Sequence, residues 1–471
     1  MRPIGGLVKR FRWLAFVCVI ALVFAACGRS DSQKGSGDQT SSTTAAVGTS
    51  GASGTFGTSG VVCKKGTPKG SPAPGVSASE IRLATFSDTG YAGRPGLNQE
   101  LFDAANVFSQ WCNDAGGING RKLVVDQRDA KLFDVKARMV ESCAQDFMDV
   151  GGGVVFDENG VQTRLSCLMP EIPGYVVSSA ARGADLLVQP IPNKVDSIPI
   201  GDYQYLAKKF PAATKAYGVL TGDVDATKVT AREGDEAAKS LGWTKVYTDL
   251  YPPLGLLDWT PVAQKIKDNG VKGLLWTGEP ENLALLMHAL SDIGYSLDFV
   301  RVDANHYDAK LQATGGAAVK NVYVRSIFAP FETAQPGSPT QQYLDAFKKY
   351  LPSGKAKALL GLQAWSAWML FATAANKCGN DLTRKCVYNN ARAIKQWTGG
   401  GLHASIDLSA PKASPCFVEF LASPSGFTVV KDVKPTDGIY RCDPSGVHTL
   451  TGDYGKGVTL ADVGKTMADF K

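Results

Sequence analysis

From Gly75 onward the chain alternates short β-prone runs with longer stretches of helical periodicity, and this alternation restricts the fold more than any other feature. Residues 81–86, Ile-Arg-Leu-Ala-Thr-Phe, read as a strand and 87–96 as a loop. Leu101, Ala105, Phe108, Trp111 and Cys112 then recur at the spacing of one helix face. Gly116-Gly117 is a helix-stop signal, and Asn119-Gly120 turns the chain into a strand over 122–126. The same reading predicts a helix over 135–147, a strand at 153–156, a helix over 161–169 and a strand at 175–178. Short strands separated by longer helices build a parallel sheet covered on both faces.

The pattern resumes after a Pro-rich stretch, Pro190-Ile191-Pro192 to Pro199. Strands are expected at 216–221, 245–250, 273–277, 299–303 and 322–327, and a helix over 227–241. Thr260 as N-cap with Pro261 at the first helical position opens another helix, which Asn269-Gly270 ends. Pro280 opens one more, running to about 293. One series on each side of the Pro-rich break makes two α/β lobes the simplest architecture.

The N-terminus has a different composition. Arg2, Lys9, Arg10 and Arg12 precede an unbroken apolar run over 13–26, followed by Cys27 and Gly28. A basic start, a short apolar core and small residues before a cut describe a secretory signal over 1–26. Phe24-Ala25-Ala26-Cys27 resembles the lipobox of bacterial lipoproteins, which implies a lipid on Cys27; ordinary cleavage and an uncleaved anchor are the alternatives. Residues 28–60 are almost entirely Gly, Ser, Thr, Ala, Asp and Gln, with Phe56 the one large apolar side chain. Such a segment buries too little to offset its ordering entropy, and as a coil it reaches on the order of 30 Å. The expectation is therefore a disordered tether over 27–74. Outside the signal the basic residues nearly balance the 44 acidic ones, and no basic stripe suggests nucleic acid. Of ten cysteines, Cys18 leaves with the signal and Cys27 takes the lipid. The remaining eight, an even number in an exported chain, argue for disulfides.

The run Asn113-Asp114-Ala115-Gly116-Gly117-Ile118-Asn119-Gly120-Arg121-Lys122 resembles the helix-to-strand turn of type I periplasmic binding proteins. These are the leucine/isoleucine/valine-binding proteins and their relatives, which feed ABC importers. Gly75-Val76 through Phe86 is similar to the family's entry strand. Asp258-Trp259-Thr260-Pro261 to Lys267, with 270–278, is similar to a βα unit of its second lobe, and Gln363-Ala364-Trp365 to Lys377 to its long returning helix. The resemblance runs from about residue 75 to 430. It implies two Rossmann-like parallel-sheet lobes joined by a three-strand hinge, closing like a flytrap. Lobe one would hold 75–192 and 327–413, and lobe two 193–326 and 414–471. With the implied first-sheet order 2-1-3-4 come the pairs Cys143–Cys167, Cys378–Cys386, Cys416–Cys442 and Cys63–Cys112, with Cys112–Cys143 disfavoured.

Ligands of open parallel sheets bind beyond the carboxyl ends of the strands, where helix N-termini offer unpaired N–H groups. Loops there present Ser87 and Tyr91, then Asp157 and Asn159, then Ser178, Ser179 and Arg182 from the first lobe. The second presents Thr221 and Asp223, then Glu279 and Glu281, then Asn305 and Tyr307. For each, the plainer alternative is a capping or solvated loop residue. The resemblance implies that Ser178-Ser179 and an inward-turned Arg182 meet a carboxylate, and that Glu279 or Glu281 takes an ammonium. Asp157-Glu158-Asn159 stands where amino-acid binders carry a serine cluster, so amides, amines and aromatic acids are as open as a branched-chain amino acid. The expectation is a monomeric, lipid-anchored solute-binding protein on the outer face of the cell membrane, handing a small molecule to an ABC permease. A ligand-sensing receptor ectodomain is the alternative. No cofactor, metal or enzymatic activity is expected: His288, His306, His403 and His448 are scattered, and no C-x-x-C, nucleophile elbow, His-Glu-x-x-His or P-loop occurs.

Overall fold

A computed structural model describes residues 54–471; the apolar leader and Cys27 lie outside the described residues. The first sheet has the parallel order β2-β1-β3-β4, formed by β1 (Glu80–Ser87), β2 (Lys122–Asp129), β3 (Asp149–Val150) and β4 (Glu171–Ile172). Alternation along β1 serves two cores. Ile81 and Leu83 join Leu101 and Phe108 of α1 (Gln99–Asp114), while Ala84 and Phe86 join Val135 and Met139 of α2 (Val135–Gln145). α3 (Glu158–Ser166) lies beside α2, and the short α4 (Ser179–Arg182) follows β4.

Two strands lie nearer the N-terminus than the sequence predicts. The apolar runs 153–156 and 175–178 are loops, and β3 and β4 end before them. Gly151-Gly152-Gly153 explains the first shift. A Cβ at Gly151 would sit 2.5 Å from the Trp368 indole nitrogen, and one at Gly152 2.5 Å from the Phe86 amide nitrogen. The chain must thin to bare backbone there to pass between its neighbours. Pro173-Gly174 ends β4 in the same way, and the β-branched residues that follow become loop wall.

After β5 (Ser197–Pro199) and α5 (Gly201–Lys209) comes the second sheet, in the order β12-β11-β10-β9-β8-β6-β7. Its parallel part comprises β6 (Tyr217–Gly222), β7 (Lys245–Tyr251), β8 (Gly273–Thr277), β9 (Phe299–Val302) and β10 (Val322–Ser326). Helices α6 (Asp225–Ser240), α7 (Thr260–Asp268), α8 (Pro280–Asp292) and α9 (Ala309–Gly315) connect them. Trp259, not Thr260, is the N-cap of α7. The chain then returns to the first lobe as α10 (Pro339–Tyr350), α11 (Leu359–Cys378) and α12 (Arg384–Arg392). Largely buried α11 packs on α1, β3 and β4. Finally β11 (Cys416–Ser423) and β12 (Gly426–Val429) add antiparallel to β10, β13 (Arg441–Cys442) pairs with β11, and β14 (Val447–Thr449) pairs with β5.

The four disulfides among the described residues are the expected ones. Cys63–Cys112, Cys143–Cys167, Cys378–Cys386 and Cys416–Cys442 have Cα separations of 5.3, 5.9, 6.0 and 4.0 Å. Among the described residues no helix is long and apolar enough to cross a membrane.

Two segments depart from the expected boundaries. The tether was expected to reach residue 74, yet 54–63 is packed, while 64–74 is mostly exposed. Phe56 is 2% exposed, its ring 5.5 Å from that of Trp365 and 6.1 Å from that of Trp111. Val62 and Cys63 are buried beside it, so three apolar side chains suffice to dock a segment whose composition is otherwise that of a coil. The C-terminus, expected wholly in the second lobe, also lies on the first. The Ser179 hydroxyl donates to the Tyr454 carbonyl, the Leu460 amide donates to Asp185 Oδ2 at 2.7 Å, and Phe470 meets Tyr388 edge-on. Residues 447–470 thus form a strap that crosses between the lobes.

Glu236 of α6 holds the strap on the second lobe. Its carboxylate accepts from the Thr451 and Gly452 amides at 2.7 and 3.0 Å, from Tyr454 Oη at 2.7 Å and from His448 Nε2 at 3.2 Å. Partial burial opposes ionisation, but these donors outweigh it and bring the group down to about 2. A depressed carboxyl contributes stability that is complete above its ordinary range and is lost as pH falls through the folded value. Between pH 4.5 and 2 the strap is therefore expected to loosen, read as a rise in hydrogen exchange at residues 447–454. Unchanged exchange down to pH 2 would remove Glu236 as the anchor.

Candidate functional site in the interlobe cleft

The carboxyl ends of both parallel sheets face one cleft, which holds a cavity of about 310 Å³. The first lobe supplies Asn98, Val155 after β3, and Tyr175, Val176 and Val177 after β4. The first crossover adds Ile191 to Ile198, and α11 adds Leu360 and Gln363. From the second lobe come Val224 and Thr227 at the start of α6, Trp276 to Glu279 after β8, Asp303 to His306 after β9, and Arg325 to Phe328 at the end of β10. The wall mixes apolar side chains with nearly as many polar ones, so a small molecule there meets both.

Of the residues expected to touch a ligand, Glu279 and Asn305 line this cavity; the others serve the loops around it. Ser87 is buried and donates to the Asn98 carbonyl at 2.9 Å. Tyr91 packs on Phe133, and Asn159 and Asp223 face solvent. The Asp157 carboxylate accepts from the Val177 and Ser178 amides at 2.7 and 3.1 Å, tying the β3 loop to the β4 loop. Desolvation between those loops pushes its carboxyl up to about 7. Ser178 caps α4 by accepting from the Ala181 amide, and Ser179 holds the strap. Thr221 is buried, its hydroxyl turned to backbone. The Tyr307 ring stacks on Phe427 and its hydroxyl donates to Glu332.

The expected charge roles change most. Arg182 does not turn into the cavity. It forms a two-pronged ion pair across the lobes with Glu233 of α6, at 2.6 and 2.9 Å, both side chains almost fully buried. Glu279 and Glu281 do not await an ammonium: Arg94, from the loop after β1, bonds to both carboxylates. Lys310 adds a second cation to Glu281 at 3.0 Å. Lys355, ahead of α11, makes a third bridge, to Glu100 in its own lobe and to Asp308 in the other at 2.6 and 2.9 Å. Three sets of ion pairs therefore span the cleft among the described residues.

The cavity also contains groups that the sequence reading missed. Arg301 of β9 donates to Asp202 at 2.6 Å and, two-pronged, to Asp303 at 2.6 and 2.8 Å. Arg325 of β10 gives Nη2 to the Ser414 and Cys416 carbonyls, while its Nε is 3.9 Å from Asp202 and has no partner. His306 donates from Nδ1 to Asn305 Oδ1, leaving Nε2 an unpaired acceptor; burial lowers the ring to about 4, so it is neutral at physiological pH. The available signal was an ionisable residue inside an apolar strand, as in Phe299-Val300-Arg301-Val302 and Val322-Tyr323-Val324-Arg325. The cavity wall at Val155 and Tyr175–Val177 was hidden because those residues read as strand.

Residues 203–415 match the family model described as periplasmic binding protein. Among solved structures the chain is similar to a fatty acid ABC transporter substrate-binding protein from Thermomonospora curvata, at 18% identity and TM-score 0.65, covering 80% of this chain and 97% of that one. It is also similar to the branched-chain amino acid substrate-binding protein LivJ from Streptococcus pneumoniae, in complex with isoleucine, at 16% identity and TM-score 0.61 over 75% and 99% of the two chains. A leucine-binding protein LivK from Thermotoga maritima aligns at 12% identity and TM-score 0.60, over 74% and 97%. Among curated protein sequences none matches. At such identities the likeness establishes the two-lobed fold.

Proposed function

We propose that the chain is a type I periplasmic binding protein and serves as the solute-binding lipoprotein of an ABC importer, a reading supported by its two-lobed fold and by the family match over residues 203–415. It captures a small polar solute, an amino acid, amide, amine or aromatic-acid-like molecule, and passes it to a membrane permease. The observation that carries this reading is the 310 Å³ cavity with walls from both lobes. A solute there touches both walls only when the lobes are closed, so its binding energy is available to shift the open and closed populations. The basic, apolar leader ending at Cys27, followed by a polar run, supports export and a lipid anchor on the outer face of the membrane.

Two measurements test the reading. A thermal-shift screen of the purified chain over amino acids, amides, polyamines, sugars and carboxylic acids should find a solute that raises the unfolding midpoint. At a hundredfold excess over Kd the stabilisation is about 2.7 kcal/mol. If every small solute fails and a protein partner binds instead, transport gives way to sensing. Mass spectrometry of the N-terminal peptide from cells should find acylated Cys27, and a mature terminus elsewhere would remove the anchor.

A further inference from the structure

We propose that the cleft takes an uncharged, polyhydroxylated solute of about monosaccharide size, with Asp303 as the acceptor that holds its hydroxyl groups. This rests on the solute-binding reading and adds a solute class to it. Six charged side chains line the cavity, and five of them already have an opposite charge beside them. Glu233 has Arg182 at 2.6 Å, and Glu279 has Arg94. Asp303 is held two-pronged by Arg301 at 2.6 and 2.8 Å, and Arg301 also bonds to Asp202. Arg325 lies 3.9 Å from Asp202, faces Glu419 across the β10–β11 ladder and gives Nη2 to two carbonyls. Lys194, half-buried on the first crossover, is the sixth and has no ion pair among the described residues.

This pairing leaves the acids open to neutral donors. The Asp303 side chain is 48% exposed and that of Glu279 34%. A carboxylate has about four acceptor positions, and Arg301 takes two of those on Asp303. An ammonium bound there would stand beside Arg301, and a ligand carboxylate would stand beside Asp303 and Glu279. Like charges repel in both cases, whereas a hydroxyl meets neither penalty. The first lobe supplies the complementary donors. Tyr175 Oη accepts from Asn98 Nδ2 at 2.7 Å, so its own proton is left to donate. The Gln363 carboxamide of α11 lines the cavity and bonds to no other residue among those described. A hydroxyl donates and accepts through one oxygen, so a compact polyol answers the acceptors of the second lobe and the donors of the first. The volume of 310 Å³ accommodates on the order of ten non-hydrogen atoms at ~30 Å³ for each water-sized group, the size of a pentose or hexose.

The test is calorimetric titration of the intact chain with glucose, galactose, ribose and myo-inositol. Glucosamine and glucuronate, which add one charge to the same ring, are titrated beside them, with leucine and acetamide. At least one neutral polyol should bind, and the two charged sugars should bind roughly tenfold more weakly than it or worse. Asp303→Asn should weaken that polyol about ten- to a hundredfold, the range for a hydrogen bond to a charged group. Gln363→Leu breaks no bond within the protein and should cost about tenfold, which keeps the test open if Asp303→Asn disturbs the fold. Equal or tighter binding of glucosamine, glucuronate, leucine or acetamide overturns the proposal, as does polyol binding that is unchanged in both variants. So does failure of every polyol when another small solute binds, an outcome that leaves the transport reading intact. Failure of all small solutes overturns that reading as well.

Discussion

Arg182→Ala should lower the unfolding free energy by about 3–5 kcal/mol, because it leaves the buried Glu233 carboxylate without its partner. Glu233 is 3% exposed, and burial already raises its carboxyl although Arg182 is present to oppose the shift. Removing the guanidinium leaves the acid to take up a proton or to draw in water, and either outcome costs stability. The expected signature is specific to a paired charge. Arg182→Met with Glu233→Leu should recover much of the loss, since replacing both members of a buried pair with apolar side chains is often close to neutral. Urea unfolding of the two variants checks this, and equal losses in the single and double variants would refute it. The pair also joins α4 of the first lobe to α6 of the second, so the single variant should open the lobes. An increased radius of gyration in solution scattering is the accompanying readout.

Replacing both Cys63 and Cys112 with serine should cost about 4 kcal/mol, the loop-entropy value for a sequence separation of 49 residues. The bond does more than restrict the unfolded chain. It pins the segment that carries Phe56 against Trp111 and Trp365 and covers the α1–α11 seam. Loss of the crosslink should expose residues 54–63 to protease before the rest of the chain unfolds. A change below about 1 kcal/mol, or protection as in the parent, would mean that aromatic packing alone holds the segment.

Much of the fold was legible because its signals are local. Gly116-Gly117 and Asn119-Gly120 mark the end of α1 and the entry to β2 in any context. Pro280 opens α8 where its missing N–H costs nothing. The errors have a common cause. The runs Val154-Val155-Phe156 and Tyr175-Val176-Val177 have strand composition, but the ladder ends before each, at places set by Trp368, Phe86 and the Pro173-Gly174 break. The site was less legible for a related reason. Position after a strand placed Ser178, Arg182, Glu279 and Glu281 near the cleft, but which partner each side chain takes depends on residues far away in the chain. Arg94 lies 187 residues from Glu281, and Arg182 lies 51 from Glu233.

The alternation of strands and helices by itself determined a parallel α/β fold in two lobes, since strand and helix periods and their stop signals are properties of neighbouring residues. Together with the family resemblance it also led to the four disulfide pairs. Only the tertiary structure decided how the charges are shared. The acids expected to hold an ammonium are already matched by Arg94, and the arginine expected to meet a carboxylate is spent on Glu233. Electrostatic pairing acts through space at a few ångströms, and the fold alone sets which charges come that close.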